Sequence, residues 1–227
     1  MSLTAVKPRS LVEQVTDQLA AYIRDRSSGE KQRLPAERRL AEQFGVGRGV
    51  VREAIKTLES QGLLSVRQGS GVVIGDKLHR PLTGSLELLV PDAERRLQEL
   101  TEVRMALEPA VAAAAATRAS TVQVEELRRV HEELADAADV PAAIAADLHF
   151  HRSLAAMSGN SMFGLILDSL ADLSLASRER TISRVGKQVG LRHHATILRA
   201  VERGNAGAAE RAMRFHIEEA GKDMRLQ

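Results

Sequence analysis

Residues 34–74 read LPAERRLAEQFGVGRGVVREAIKTLESQGLLSVRQGSGVVI. Pro35 stands where a first helical turn tolerates proline, because the missing N–H would be unpaired there anyway. Leu40, Ala41 and Phe44 fall at helical spacing and predict a helix over Ala36–Phe44. Gly45-Val46-Gly47 interrupts it. A second helix is expected from Arg48 to Gln61, with Val51, Ala54, Ile55 and Leu58 inward and Gly62 ending it in the left-handed conformation. Leu64 and Val66, then Val72 and Ile74, alternate on either side of Gln68-Gly69-Ser70-Gly71, the pattern of a short hairpin. Two helices joined by so tight a turn fit a helix-turn-helix, whose second helix enters the DNA major groove, with the hairpin as its wing.

The side chains suit that use. Arg48 and Arg52 lie four apart and project from one face at the start of the second helix, and Arg38 comes from the helix before. An arginine fork can take guanine O6 and N7 together, or a phosphate. Any one of these arginines could equally be an ordinary solvated charge. Gly69 and Gly71 permit close approach of the hairpin tip to another backbone, or serve only to make the turn.

The run LPAERRLAEQFGV-x-R-x-x-VREA-I-x-x-LE-x-QGLL-x-V-x-x-G-x-GV resembles, without a gap, the winged helix-turn-helix of the GntR family of bacterial transcription regulators. The resemblance implies that Arg38, Arg48 and Arg52 contact DNA and that Gly69, at the wing tip, approaches the minor groove. Two positions depart from the family pattern. Gly47 stands where Ser or Thr is usual, removing an N-cap worth roughly a few tenths of a kcal/mol over glycine. Gly49 replaces another small hydroxyl residue that could bind phosphate.

Composition agrees with a mainly helical, water-soluble chain. Of 227 residues, 44% are hydrophobic, 27% charged and only 2% aromatic, so the core must be aliphatic. There is no cysteine, which excludes disulfides and thiolate metal sites and fits a reducing, cytoplasmic setting. No apolar run approaches a membrane span and no apolar signal core opens the chain, so no membrane role is expected. The net charge of +2 is unevenly spread: residues 1–80 hold 14 Lys and Arg against 9 Asp and Glu, a net of +5, and residues 81–227 hold 18 against 21, a net of −3. A basic N-terminal part is the footprint expected of phosphate binding.

Ser10 precedes a helix predicted to reach Arg26, with Leu11, Val15, Leu19, Tyr22 and Ile23 as its apolar stripe. The expected organisation is a winged helix-turn-helix over 1–74, a linker over 75–84, and an antiparallel all-α bundle over 85–227. After a short apolar segment, Leu86–Val90, Asp92 can cap a long helix to Arg118, with Leu97, Leu100, Val103, Leu107, Val111 and Ala114 inward and Pro109 placed to kink it. Helices are then expected over Ser120–Ala138, from Asp139 to Gly159-Asn160, over Ser161–Ile182, over Lys187–Arg203 and over Ala206–Met224.

Asp147 and His151 share one helix face with Ile144, Leu148 and Leu154, while His194 and His216 each sit on an apolar face of later helices. Three inward histidines and a carboxylate from three helices can form a divalent metal site, although a single inward histidine is more often a hydrogen-bonded core residue. DLHFHRSLAAMSGN at 147–160, and H-A-T-I-L-x-A-V-x-x-G-N-A-x-x-A-E-x-A-M-x-x-H ending at His216, resemble the ligand-binding (FCD) domain of the FadR-like branch of the GntR family. The resemblance implies metal ligation by Asp147, His151, His194 and His216, with His149 and His193 as rival positions. Zinc and nickel suit imidazole equally. An octahedral ion on four such ligands keeps two open positions for a small organic acid. Arg104, in EVRMALEP, matches an arginine that meets the effector carboxylate in that family; its bland alternative is a surface salt bridge to Glu108, at i+4.

The chain therefore reads as a homodimeric repressor-type regulator binding palindromic double-stranded DNA under control of an acid effector, not as an enzyme. Two alternatives are a metal-dependent hydrolase using the Asp/His site, and a DNA-binding dimer without effector. Against the hydrolase, no spare carboxylate or histidine is obviously placed as a general base.

Overall fold

The computed structural model describes residues 9–26, 33–67, 71–74, 89–90 and 92–225. The expected 75–84 linker and the wing-tip Gly69 lie outside them. The chain divides into two units, Met1–Pro81 and Leu82–Gln227. Among the described residues there are ten helices and one two-stranded sheet.

The first unit holds helices α1 (Leu11–Arg26), α2 (Glu37–Phe44) and α3 (Arg48–Ser60), then strands β1 (Leu64–Arg67) and β2 (Gly71–Ile74). Ser10 caps α1 reciprocally: its hydroxyl accepts from Glu13 N at 3.1 Å and its own N–H reaches the Glu13 carboxylate at 2.9 Å. Pro35 precedes the N-cap Ala36, one place earlier than expected, since α2 begins at Glu37. Gly45 turns the chain at φ 63°, and Gly62, at φ 76°, closes α3. There Leu63 N donates to Leu58 O and Gly62 N to Glu59 O, both at 2.9 Å, which satisfies the last carbonyls. Val15, Leu19 and Ile23 of α1 pack with Leu40, Ala41, Val51, Ala54, Ile55 and Leu58 into one aliphatic core. Leu11, expected inward, is exposed.

The hairpin corrects a second expectation. Leu64 is buried, but Val66 is exposed and Val73 is the covered residue of β2. The pairing is Leu64↔Ile74 through Arg67↔Gly71, and Arg33 bridges to Val73 on the far side while Leu34 N donates to Val72 O at 2.8 Å. β2 is thus flanked on both edges. Val66 keeps its side chain exposed while its N–H donates to the Glu59 carboxylate of α3 at 3.0 Å.

The second unit comprises α4 (Ala93–Arg118), α5 (Thr121–Asp136), α6 (Val140–Met157), α7 (Ser161–Ser169), α8 (Ala171–Val185), α9 (Lys187–Glu202) and α10 (Ala206–Arg225). Polar caps start most of these helices. The Asp92 carboxylate accepts from Glu94 N and Arg95 N, Ser120 and Gln123 form a capping box, Asp139 caps α6 and Asn160 caps α7. α10 lies along α4, with Gly221 permitting the approach: a Cβ there would stand 3.1 Å from Thr101 Cγ2. Short connections make α5 and α6, and α9 and α10, packed neighbours. Their shared core includes Val111, Leu127, Phe150, Leu154, Ile197, Met213 and Ile217.

Two helix readings change. The single helix expected over Ser161–Ile182 is two, broken at Leu170 (φ −98°, ψ −2°) just after Ser169, whose hydroxyl bonds back to Leu165 O at 2.7 Å and favours a bend. In α4, Leu100 and Val111 are buried as expected and Val103 is 41% exposed. The helix instead turns Thr101, Arg104 and Glu108 inward along with Ala112 and Ala115. An apolar stripe could not reveal this, because the inward face is polar where it meets α6. α4 runs on through the buried Pro109.

Candidate metal centre and nucleic-acid surface

Asp147 and His151 lie one turn apart on α6, His194 comes from α9 and His216 from α10. All four are buried, and one ligand atom from each lies within 4.8 Å of the others. Asp147 Oδ1 is 3.3 Å from His194 Nε2, and Asp147 Oδ2 is 3.7 Å from His151 Nε2. Phe150 stacks flat on His194, with centroids 4.1 Å apart and 6° between planes. His216 stands edge-on to His194 at 4.7 Å and near-parallel to His151 at 5.2 Å.

Both ring nitrogens of His194 and of His151, and Nδ1 of His216, are buried without a hydrogen bond. Buried polar atoms are normally paired, and each one left alone costs about 1–3 kcal/mol. Ligand atoms on a first-row ion stand about 3.0–4.2 Å apart, from bonds of about 2.1 Å, and the Asp147 distances of 3.3 and 3.7 Å to His194 and His151 fall in that range. The protonation states are those of ligands. Burial lowers the His194 pKa to about 3 and holds His216 well below the ordinary imidazole value, so both are neutral near pH 7. Burial would raise the Asp147 pKa, but the Arg178 guanidinium and the surrounding histidines together outweigh that and keep the carboxylate ionised. The residues therefore fit a divalent cation.

Two charged pairs support the cluster. Arg178 of α8 donates from Nε to Asp147 Oδ2, and both side chains are nearly buried. Arg104 Nε donates to Glu108 Oε1 at 2.6 Å inside the bundle, not on its surface. Burial opposes ionisation of Glu108, yet Arg104 and His151 hold its carboxyl well below the usual range. Arg104, Asp147, Arg178 and His216 line a cavity of about 50 Å³, together with Ser177 and Lys187. Among its polar groups, Arg178 Nη1 is buried and unpaired. Lys187 is occupied, donating to Ala135 O and Ala137 O at 2.6 Å each.

Of the rival histidines, His149 is turned to Glu133 at 3.4 Å, away from the cluster. His193 lies edge-on to His216 at 5.7 Å and is not among the four. Sequence reading did not identify Arg178, whose RERT setting looks like a solvated charge. Its only signal is helical spacing from the buried Ser174. Glu108 was visible only as a partner for Arg104.

In the first unit, Arg38, Arg48 and Arg52 are all exposed. Arg38 Nε is 3.8 Å from Glu42 Oε1, a loose surface pair. Arg52 reaches across from α3 to Glu37 of α2, with Nε at 3.3 Å and Nη2 at 3.1 Å from one carboxylate oxygen. Gly47 is the N-cap of α3 and provides no side-chain hydrogen bond, and Cβ positions at Gly47 and Gly49 face open space.

A three-helix unit with a flanked hairpin, joined in one chain to a helical unit built around a buried carboxylate–imidazole cluster, defines a DNA-binding transcription regulator with a separate ligand domain. Comparison with known proteins agrees. Residues 11–74 match the family described as bacterial regulatory proteins, gntR family, and residues 99–219 match the FCD domain. The chain is 30% identical over 216 residues to the HTH-type transcriptional repressor NanR of Escherichia coli, covering 92% of this chain and 82% of that protein. It is 29% identical to NanR of Citrobacter rodentium over the same length. A solved structure of Streptococcus agalactiae GntR superimposes with a TM-score of 0.72 at 33% identity, covering 93% of this chain and 99% of that one. The Listeria monocytogenes Lar structure, at 22% identity and a TM-score of 0.54, shares the fold. The chain belongs to the GntR family and carries an FCD domain; it is a transcription regulator, not an enzyme.

Proposed function

We propose that this regulator binds a divalent metal through Asp147, His151, His194 and His216, and that a small carboxylic acid docking at that metal controls operator binding. The observation carrying this reading is the set of four buried ligand atoms within 4.8 Å of one another, with most of their nitrogens lacking any other partner. Three neutral imidazoles and one carboxylate leave a divalent ion with a charge of about +1, and zinc or nickel suits the donors. The adjoining cavity, with Arg104 and Arg178 in its lining, favours a small anion over a neutral ligand. Arg104 is the effector-binding residue in this reading.

DNA is read by Arg48 and Arg52 at the start of α3, with Arg38 of α2 beside them and Gly69 at the wing tip. A homodimer would set two recognition helices about one DNA turn apart on a palindromic site. The relatives named as repressors support repression as the output. No helix among the described residues is long and apolar enough to cross a membrane.

The test is operator binding by fluorescence anisotropy across a panel of small hydroxy and keto acids, with metal-loaded and chelator-stripped protein. An acid that shifts operator affinity only in the loaded protein is the expected result. Thermodynamic linkage requires such an acid to bind the two DNA-binding states unequally. An operator affinity indifferent to both metal and acids would leave a DNA-binding dimer without effector.

A further inference from the structure

Glu108 has no place in the set of four, yet it is one of the most deeply buried charges in the chain, with 2% of its surface exposed. It faces His151 from α4: Glu108 Oε2 is 2.5 Å from His151 Nδ1. That is shorter than an ordinary N–H···O bond, and both atoms lack hydrogen-bond geometry, so two buried orphans stand against each other. A small rotation of either ring or carboxylate makes the bond. The other ring nitrogen, His151 Nε2, points towards Asp147 at 3.7 Å. Glu108 is held in turn by Arg104 at 2.6 Å through its second oxygen.

Histidine offers a metal only the nitrogen that carries no proton, and the hydrogen bond at the other nitrogen decides which one that is. An ionised carboxylate accepts but cannot donate, so beside Nδ1 it selects the Nδ1–H tautomer. We propose that Glu108 is the positioning carboxylate of the metal centre, keeping the proton on Nδ1 of His151 so that Nε2 is the ligand atom, with Arg104 holding Glu108 in place. This rests on the metal reading above. It has a regulatory consequence: an acid that draws Arg104 away from Glu108 loosens His151, so acid and metal affinities are coupled through one carboxylate.

The experiment uses the full chain and zinc alone, with affinity measured by chelator competition. Glu108→Ala should weaken zinc binding by about 10- to 100-fold, the usual cost of losing such a partner. Glu108→Gln, whose amide oxygen can still accept from Nδ1–H, should lose less. Glu133→Gln, at the surface Glu133–His149 pair, should bind like wild type. Long-range nitrogen–proton NMR of the zinc-loaded protein should show Nδ1–H and a metallated Nε2 for His151 in wild type and Glu108→Gln, and a loss of that single tautomer in Glu108→Ala. If Glu108→Ala does not fold, the proposal stands or falls on Glu108→Gln: stronger zinc binding than wild type, or metallation at Nδ1, overturns it. Zinc binding by wild type with unchanged affinity and tautomer in Glu108→Ala overturns the role of Glu108 alone. No zinc binding by wild type overturns the metal reading and this inference together.

Discussion

Phe150 lies flat against His194, ring centroids 4.1 Å apart and 6° from parallel, and both residues are fully buried. The phenyl ring comes from α6 between Asp147 and His151, so one helical turn supplies two cluster residues and the wall that fixes a third. Phe150→Ala should therefore cost about 3–5 kcal/mol in unfolding free energy, read by urea titration of the metal-free protein. It should also weaken metal binding, because His194 loses the surface that sets its plane. A loss below about 1 kcal/mol would show that the ring is not part of the bundle core.

The turn before α3 has a removable weakness. Gly47 is the N-cap and bonds nothing through a side chain, and the space around it is open. Gly47→Ser should stabilise the first unit by roughly a few tenths of a kcal/mol, seen as a small rise in its melting temperature. A fall would mean that the serine side chain cannot reach the free N–H groups of α3.

The exposed arginines make a prediction about DNA. Arg48→Ala and Arg52→Ala should each cost about 1–3 kcal/mol of operator affinity where they read a base, with the melting temperature unchanged. Arg52 is shared with Glu37, so Glu37→Gln should raise affinity for unrelated DNA by freeing that charge. Anisotropy titrations over a salt series measure both. Unchanged operator binding in the two alanine variants would contradict the assignment of α3 as the reading helix.

Acid should destabilise the metal-free protein. Burial holds His194 at about 3 and His216 well below its ordinary value, whereas both imidazoles titrate near 6.5 in the unfolded chain. Between about pH 6.5 and 3 the unfolded state binds more protons at His194, so stability falls on acidification, by about 1.4 kcal/mol per pH unit, and His216 adds a loss of the same sign below about pH 6.5. Above about pH 6.5 this contribution is flat. The depressed carboxyls of Asp147 and Glu108 add a loss of the same sign only below about pH 4. Urea midpoints that did not fall between about pH 7.5 and 5.5 would contradict the buried neutral histidines.

Much of this was legible in the chain because local chemistry and fold agree. Caps at Ser10, Asp92, Ser120 and Asp139 precede helices that start where they indicate, and Gly62 ends α3 through backbone bonds that need its positive φ. Asp147, His151, His194 and His216 stood out because polar residues on apolar helix faces are unusual, and the structure does bring them together. Arg178, Glu108 and the burial of Arg104 did not stand out. Arg104 pairs with Glu108 inside its own helix, and what the chain hid was that the pair is buried; the other two partners come from elsewhere, since Asp147 lies thirty-one positions from Arg178 and His151 is on a different helix from Glu108. Periodicity within one helix cannot register such a partner. The break at Leu170 was hidden for a similar reason, since no glycine or proline marks it.

The most direct test is metal content. Purified protein is exposed to excess zinc or nickel, freed of unbound ion and measured by elemental analysis, alongside His194→Ala checked for an intact fold by circular dichroism. The expected result is about one metal per wild-type chain and none in the variant, as four protein ligands on one ion require. A wild-type chain that holds no divalent metal, or a His194→Ala chain that holds it as well as wild type does, would contradict the metal centre on which the proposed regulation depends.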